Sequence, residues 1–270
     1  MRLYSLAVYL FLYTPIAVIA LFSFNAGRHA SQFQGFSTQW YGRALGNPFV
    51  MDALETSLIV AFTTATLASV LGTLAAVGLQ GMRGPVRAVF DALIYVAVMI
   101  PGIVIGIATL IALVTVFDTV NPWLARLWGE AAAAPKLSMG MGSLIAAHTM
   151  FTMALVIIIV RSRLGTLEGS LAEASADLYA TPFGTFRQVT LPLIAPAVLA
   201  GFLLSFTFSF DDFIIAFFVA GSETTLPIYI FSSIRRGVTP EINAIGTMVM
   251  LASLVLLIAA QLILRRGARK

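Results

Sequence analysis

Residues 193–220, LIAPAVLAGFLLSFTFSFDDFIIAFFVA, carry no charge over their first eighteen positions and then present two adjacent aspartates, Asp211 and Asp212. A helix that crosses a bilayer needs about 20 mainly apolar residues. This stretch supplies them as a continuous run, without the two-residue alternation of a barrel strand. Five other segments read the same way: roughly 4–24, 53–79, 89–116, 141–160 and 243–264. The first follows Arg2, is too long for a signal-peptide core and precedes no clear small-residue cleavage site, so it is expected to stay as an uncleaved helix. The expectation is an all-α membrane protein with six spans, forming a single transmembrane domain over residues 1–270.

Composition points the same way. Hydrophobic residues make up 59% of the 270 and charged residues 10%, at a mean hydropathy of +0.95. A soluble domain carries about 25% charged residues, and a chain this poor in charge cannot cover a water-facing surface. The 21 glycines and 11 prolines are scattered without period, which excludes collagen and low-complexity disorder. With no cysteine there is no disulfide scaffold, thiolate metal site or cysteine nucleophile. His29 and His148 lie too far apart in sequence to suggest a metal cluster.

Lysine and arginine set the orientation. One set of segments holds Arg2, Arg83, Arg87, Arg161, Arg163, Arg187, Arg265, Arg266, Arg269 and Lys270, ten basic residues against the four acids Asp91, Glu168, Glu173 and Asp177, a balance of +6. The other holds six, Arg28, Arg43, Arg126, Lys136, Arg235 and Arg236, against the remaining eight acids, a balance of −2. Both termini are therefore expected on the cytoplasmic side of an inner membrane. The pI near 9.7 reflects this topology and not nucleic-acid binding, since no basic stripe is interleaved with aromatics.

The chain has no G-x-x-x-x-G-K-[ST] loop, and its only lysines, Lys136 and Lys270, follow no glycine-rich turn. It also lacks H-E-x-x-H and G-x-S-x-G. We read it as no enzyme and as carrying no cofactor. Energy for uphill transport would have to come from a partner or an ion.

The longest cytoplasmic connection, from Arg161 to Pro196, reads RSRLGTLEGSLAEASADLYATPFGTFRQVTLPLIAP. Ser170 and Glu173 have capping-box spacing and predict a short helix running to about Tyr179. Thr181-Pro182 predicts a second start, with Thr181 as N-cap and Pro182 at N1. Leu171, Ala174 and Leu178 share one face. Such a helix suits docking into a groove on another protein; it equally suits a tidy capped connection.

This stretch resembles the Glu-Ala-Ala loop of ABC importer permeases: Glu-Ala-Ala, three residues, Gly, nine residues, Ile, one residue, Leu-Pro. Glu173, Ala174 and Ser175 fill the triplet, Tyr179 stands at the Gly position, Val189 at the Ile position, and Leu191-Pro192 close the pattern. Ser175 for Ala is a mild departure. Tyr179 puts a bulky side chain where the helix normally ends on a small one. Residues 197–220, 226–236 and 238–244 look like the spermidine/putrescine branch, above all in Ser-Phe-Asp-Asp and Thr-Pro-Glu-Ile-Asn-Ala. The resemblance implies a type I importer permease fold. It also implies a coupling loop over 161–192, in which Glu173, Ala174, Ser175, Asp177, Leu178 and Tyr179 meet a cytoplasmic ATPase dimer that binds ATP and Mg. The further partners it implies are a second, different but homologous permease chain and a periplasmic binding protein that meets the outer connection 221–242. The substrate it implies is a polyamine or related cationic amine. Opines or amino-acid derivatives, thiamine and metal ions are alternatives within the class. A secondary transporter is the rival class, but it needs internal repeats and an intramembrane ion site, and no convincing repeat is present.

Charged groups in a bilayer are costly and usually functional. Counted from Leu193, Asp212 lies roughly 28 Å along the helix axis, near the outer interface. Gly201, Ser205, Ser209 and Asp212 form a small, polar stripe expected to face water or another subunit, with Thr207 and Asp211 on an adjacent face. Asp211, Asp212, Ser205 and Ser209 are the candidate substrate path. The competing reading is that one aspartate caps a helix or pairs with Arg235 or Arg236. Pro101 is expected to kink the third span, and Gly102 and Gly106 to let helices approach closely. His148 reads better as a core histidine bonded to a neighbour than as a proton relay. Leu226–Arg236 is expected as an outer rim helix, and Thr239-Pro240-Glu241 as the start of the last span.

Overall fold

The computed structural model describes residues 2–29, 32–128, 134–167 and 170–267. Glu130, Glu168, Arg269 and Lys270, counted in the charge balance above, lie outside the described residues, as do the side chains of Arg2, Ser170, Arg265 and Arg266. The helices in chain order are α1 (Arg2–Phe22), α2 (Gln39–Gly46), α3 (Pro48–Gln80), α4 (Pro85–Met99), α5 (Gly102–Trp128), α6 (Met141–Leu164), α7 (Ser170–Asp177), α8 (Pro182–Thr185), α9 (Leu191–Asp211), α10 (Ile214–Val219), α11 (Leu226–Ile234) and α12 (Pro240–Gly267). Among the described residues there is no β-strand, only one isolated bridge between Asn25 and Phe36. Among the described residues five helices are long and apolar enough to cross a membrane: Tyr4–Phe22, Pro48–Gln80, Gly102–Trp128, Met141–Leu164 and Pro182–Asp211. Pro240–Val255 is a shorter apolar stretch.

Two expected spans take a different form. The third, expected over 89–116, is two helices. Ile100 precedes a proline and is extended, with φ −68° and ψ 136°, because the proline ring crowds the helical conformation of the residue before it. The Pro101 carbonyl then accepts from Val104 and Ile105 and starts α5. Pro101 is thus a break and not a kink. The fifteen residues of α4 rise only about 22 Å, so the spanning helix is α5, thirteen residues further along than expected. The fifth span, expected to reach Ala220, ends at Asp211. It begins earlier, as Pro182–Asp211 runs on through one wide turn, Phe186–Thr190, where the Leu191 N–H donates to the Phe186 carbonyl.

The chain forms two compact units, Met1–Glu55 with Thr224–Lys270, and Thr56–Glu223. In the first, α12 packs on α1 and α2. The loop before α2 is organised by buried Asn25. Its Nδ2 donates to the His29 and Gln32 carbonyls at 3.0 and 2.8 Å, its Oδ1 accepts from the Gly27 and Gln34 N–H groups, and its carbonyl accepts from Trp40 Nε1 at 2.7 Å. Asn47 Nδ2 donates to Glu241 Oε1 at 3.1 Å and to Tyr229 Oη at 3.3 Å. Helix α11 and the Pro240 start of α12 stand where the sequence places a helix and a helix start.

In the second unit α6 is the hub. Val156 on α6 is fully buried and fills the space that two glycines leave. A Cβ on Gly72 of α3 would lie 2.8 Å from the Val156 Cβ, and one on Gly201 of α9 3.2 Å from its Cγ1. Small residues let helices approach where apolar surface alone gives no drive to associate. Gly102 and Gly106 do the same for α5 against α10: a Cβ on Gly106 would meet the Phe218 ring at 2.6 Å. Asp91 of α4 pairs with Arg161 at the end of α6, and Arg87 stands 3.7 Å from the same carboxylate.

Candidate functional site

Two sites expected from sequence fall within the second unit. The first is the connection after α6. α7 stops at Asp177, and its end is a Schellman closure. The Tyr179 N–H donates to the Ala176 carbonyl at 2.9 Å and the Ala180 N–H to the Ser175 carbonyl at 3.1 Å. That closure needs a left-handed residue, and Tyr179 supplies it with φ +59°, the one described non-glycine residue with positive φ. The geometry explains why the resembling pattern carries Gly at this position: glycine has no Cβ to crowd the following carbonyl. The predicted helix is two residues shorter than expected, for this reason.

The rest of the connection is locally fixed. Thr181 caps α8 by accepting from the Gly184 N–H at 3.1 Å, with Pro182 at N1. Ser175, the departure from Ala, shares a 2.9 Å hydrogen bond with Thr185 and ties α7 to α8. Arg163 Nε donates to the Leu193 carbonyl at 3.2 Å, joining the end of α6 to the start of α9. Glu173, Ala174 and Asp177 are exposed, as are Leu171 and Leu178, so the apolar face of α7 is left open among the described residues. Leu178 is 82% exposed, Tyr179 95% and Phe183 70%.

The second site is the acidic end of α9. The helix breaks after Asp211 because Asp212 turns extended, with ψ 122°. Its Oδ2 accepts the Ala216 N–H at 2.9 Å, satisfying one orphan donor at the start of α10. The same oxygen lies 3.5 Å from His148 Nε2, and His148 Nδ1 is 2.8 Å from Ser209 Oγ. His148 is 2% exposed. It is a core histidine that joins α6 to both sides of the helix break. Ser205 and Ser209 are buried, and with Gly201 they lie against α6 of the same chain. Asp212 is half-buried at the end of this stripe, while Asp211 is exposed and takes part in no hydrogen bond or ion pair among the described residues. The sequence places Asp212 one turn beyond Ser209, but nothing in it points to His148, sixty-one residues from Ser209, as their shared partner. No three His, Asp or Glu side chains gather to hold a metal among the described residues.

Residues 68–270 match the family of the binding-protein-dependent transport system inner membrane component. The chain belongs to this family. It is therefore a multi-helix inner-membrane component of a binding-protein-dependent transport system. The spermidine/putrescine transport system permease protein PotC of Escherichia coli (strain K12) is 37% identical over 260 residues, covering 96% of this chain and 91% of PotC. The putrescine transport system permease protein PotI of the same organism is 38% identical over 247 residues, covering 89% of this chain and 82% of PotI. Among solved structures, a bacterial ABC transporter involved in the import of the acidic polysaccharide alginate superposes with a TM-score of 0.76 at 14% identity, covering 98% of this chain and 94% of that one. The MetNI methionine ABC transporter gives 0.62 at 17% identity, with 82% and 99% covered. At these identities the structures establish the shared fold alone.

Proposed function

We propose that this inner-membrane component is one permease subunit of an ATP-driven importer of polyamines, putrescine or spermidine, or of a closely related cationic amine. The observation that carries the substrate class is the similarity to PotC and PotI across most of the chain. An exposed carboxylate, Asp211, at the end of a spanning helix suits a cationic cargo. In this reading a periplasmic binding protein delivers substrate to the outer connection 221–242. A second, homologous permease chain completes the path. A cytoplasmic ATPase dimer binds ATP and Mg, closes, and moves residues 170–180. Six spans, with α12 as the sixth, are supported by the apolar runs of the sequence, and both termini inside by its charge balance. Asp211 faces the path. Asp212, tied to His148 and Ala216, fixes the helix break beside it, and Ser205 and Ser209 serve by seating α9 on α6.

The test is uptake of radiolabelled putrescine and spermidine into cells expressing the whole operon, with an ATPase-dead partner as control. ATP-dependent uptake of either amine is the expected result. An assembled transporter with active ATPase that takes up neither amine would sink the substrate assignment and leave the importer class.

Orientation has its own check, made simple by a chain without cysteine. A cysteine placed at exposed Ser222 should react with a membrane-impermeant maleimide in cells with only the outer membrane opened. One placed at exposed Ala180 should react only after the inner membrane is permeabilised. The reverse pattern overturns the topology.

A further inference from the structure

Tyr179 pays for its place with strain that nothing inside the chain offsets. An L side chain in the left-handed region crowds its own backbone, and such strain persists where function requires it. The ring of Tyr179 is 95% exposed, so no packing within the chain compensates. Glycine would close the same turn without strain. The side chain itself is therefore what the position keeps.

Its surroundings are those of a preformed knob. Leu178 on one side and Phe183 beyond the turn are exposed as well, and three large apolar side chains in six residues are more than a solvated loop needs. Beneath them the backbone is held by the Schellman closure, the Thr181 cap and the Ser175–Thr185 bond. A surface held in its binding geometry loses little freedom on docking. Aromatic side chains of this kind anchor interfaces when they fill a pocket. Glu173 and Asp177, both exposed, flank the knob with negative charge.

We propose that Tyr179 selects the ATPase partner: its ring enters an apolar slot in the ATPase cleft, and basic groups on the rim of that cleft face Glu173 and Asp177. The inference rests on the reading that residues 170–180 dock an ATPase. It adds that this docking requires an aromatic ring where a glycine would otherwise serve.

The experiment compares Tyr179→Gly, Tyr179→Ala and Tyr179→Phe in the transporter expressed from its full operon, with the permease tagged. The readouts are ATPase retained on purification, ATP-dependent uptake, and thermal unfolding of the permease. Tyr179→Gly removes ring and strain together, Tyr179→Ala removes the ring and keeps the strain, and Tyr179→Phe keeps both. The expected result is a tenfold or greater loss of retained ATPase and of uptake in the Gly and Ala variants, near-wild-type behaviour in Phe, and a Gly variant that unfolds no earlier than wild type. A Gly variant that retains ATPase as firmly as wild type overturns the role of Tyr179 while leaving the docking reading intact. Wild-type permease that retains no ATPase overturns the docking reading, and with it this proposal.

Discussion

Replacing Asp211 by Asn should cut polyamine uptake about tenfold or more and leave the folded protein unchanged. The swap conserves shape and removes one charge. Asp211 is exposed and engages no partner among the described residues, so folding has little to lose. A cation passing a carboxylate at about 4 Å gains on the order of 4 kcal/mol at the effective dielectric of a protein surface. Exposure and salt screen part of that. A residue of ~1.4 kcal/mol suffices for a tenfold change. Position 212 should behave differently. Asp212→Ala strips the acceptor from the Ala216 N–H and the neighbour from His148. Leaving the Ala216 N–H unpaired costs about 1–3 kcal/mol, and this should appear as earlier thermal unfolding and less assembled transporter. Measuring uptake per folded, ATPase-bound permease separates the two. Normal per-molecule uptake with Asp211→Asn would take Asp211 off the path. Unchanged unfolding with Asp212→Ala would remove the proposed structural role of its carboxylate.

The two aspartates show how far the sequence reaches and where it stops. Adjacent acids in an apolar run announce a site, and the run itself announces a span. Which acid turns inward depends on where the helix breaks. The break is set by Asp212 bonding four residues ahead to Ala216 and by a histidine on another helix. Period and spacing carry no trace of that second partner. The same holds at Pro101. A proline marks a disturbance, yet kink and break differ only in the conformation of Ile100. Reading it as a kink displaced the expected third span, because hydropathy runs through both α4 and α5 without interruption.

The connection after α6 was legible in more detail because its rules are local. Thr181-Pro182 predicts a helix start from two residues, and the start is there. Tyr179 in a glycine position predicts trouble, and its φ of +59° shows the form the trouble takes. Ser175 was legible only as a substitution; that its hydroxyl reaches Thr185 across a turn required the fold. The loop organised by Asn25 passed unnoticed for a like reason. A lone asparagine among polar residues gives no sign that its side chain will bind four backbone groups.

Gly221→Ala should be a damaging conservative change in the second unit, lowering stability by ~2–5 kcal/mol. Two costs coincide there. Gly221 has φ +60°, where any L residue loses roughly 1–2 kcal/mol. An added Cβ would also lie 2.5 Å from the Met139 carbonyl oxygen and 2.7 Å from its carbon. These are backbone atoms and cannot rotate away, so the turn after α10 or the entry to α6 must move. That entry is held to α10 by Ser143 Oγ donating to the Val219 carbonyl at 2.7 Å, so movement would also disturb the helix that Asp212 caps. Overpacking of this kind costs about 1–3 kcal/mol. Gly78→Ala is the control: its Cβ meets nothing within 4 Å in the last turn of α3, and it should be neutral or gain up to about 1 kcal/mol. Thermal unfolding in detergent, with uptake of the surviving fraction, reads both. Equal melting of the two variants would mean that the close approach of Gly221 to Met139 contributes nothing to holding α10 in place.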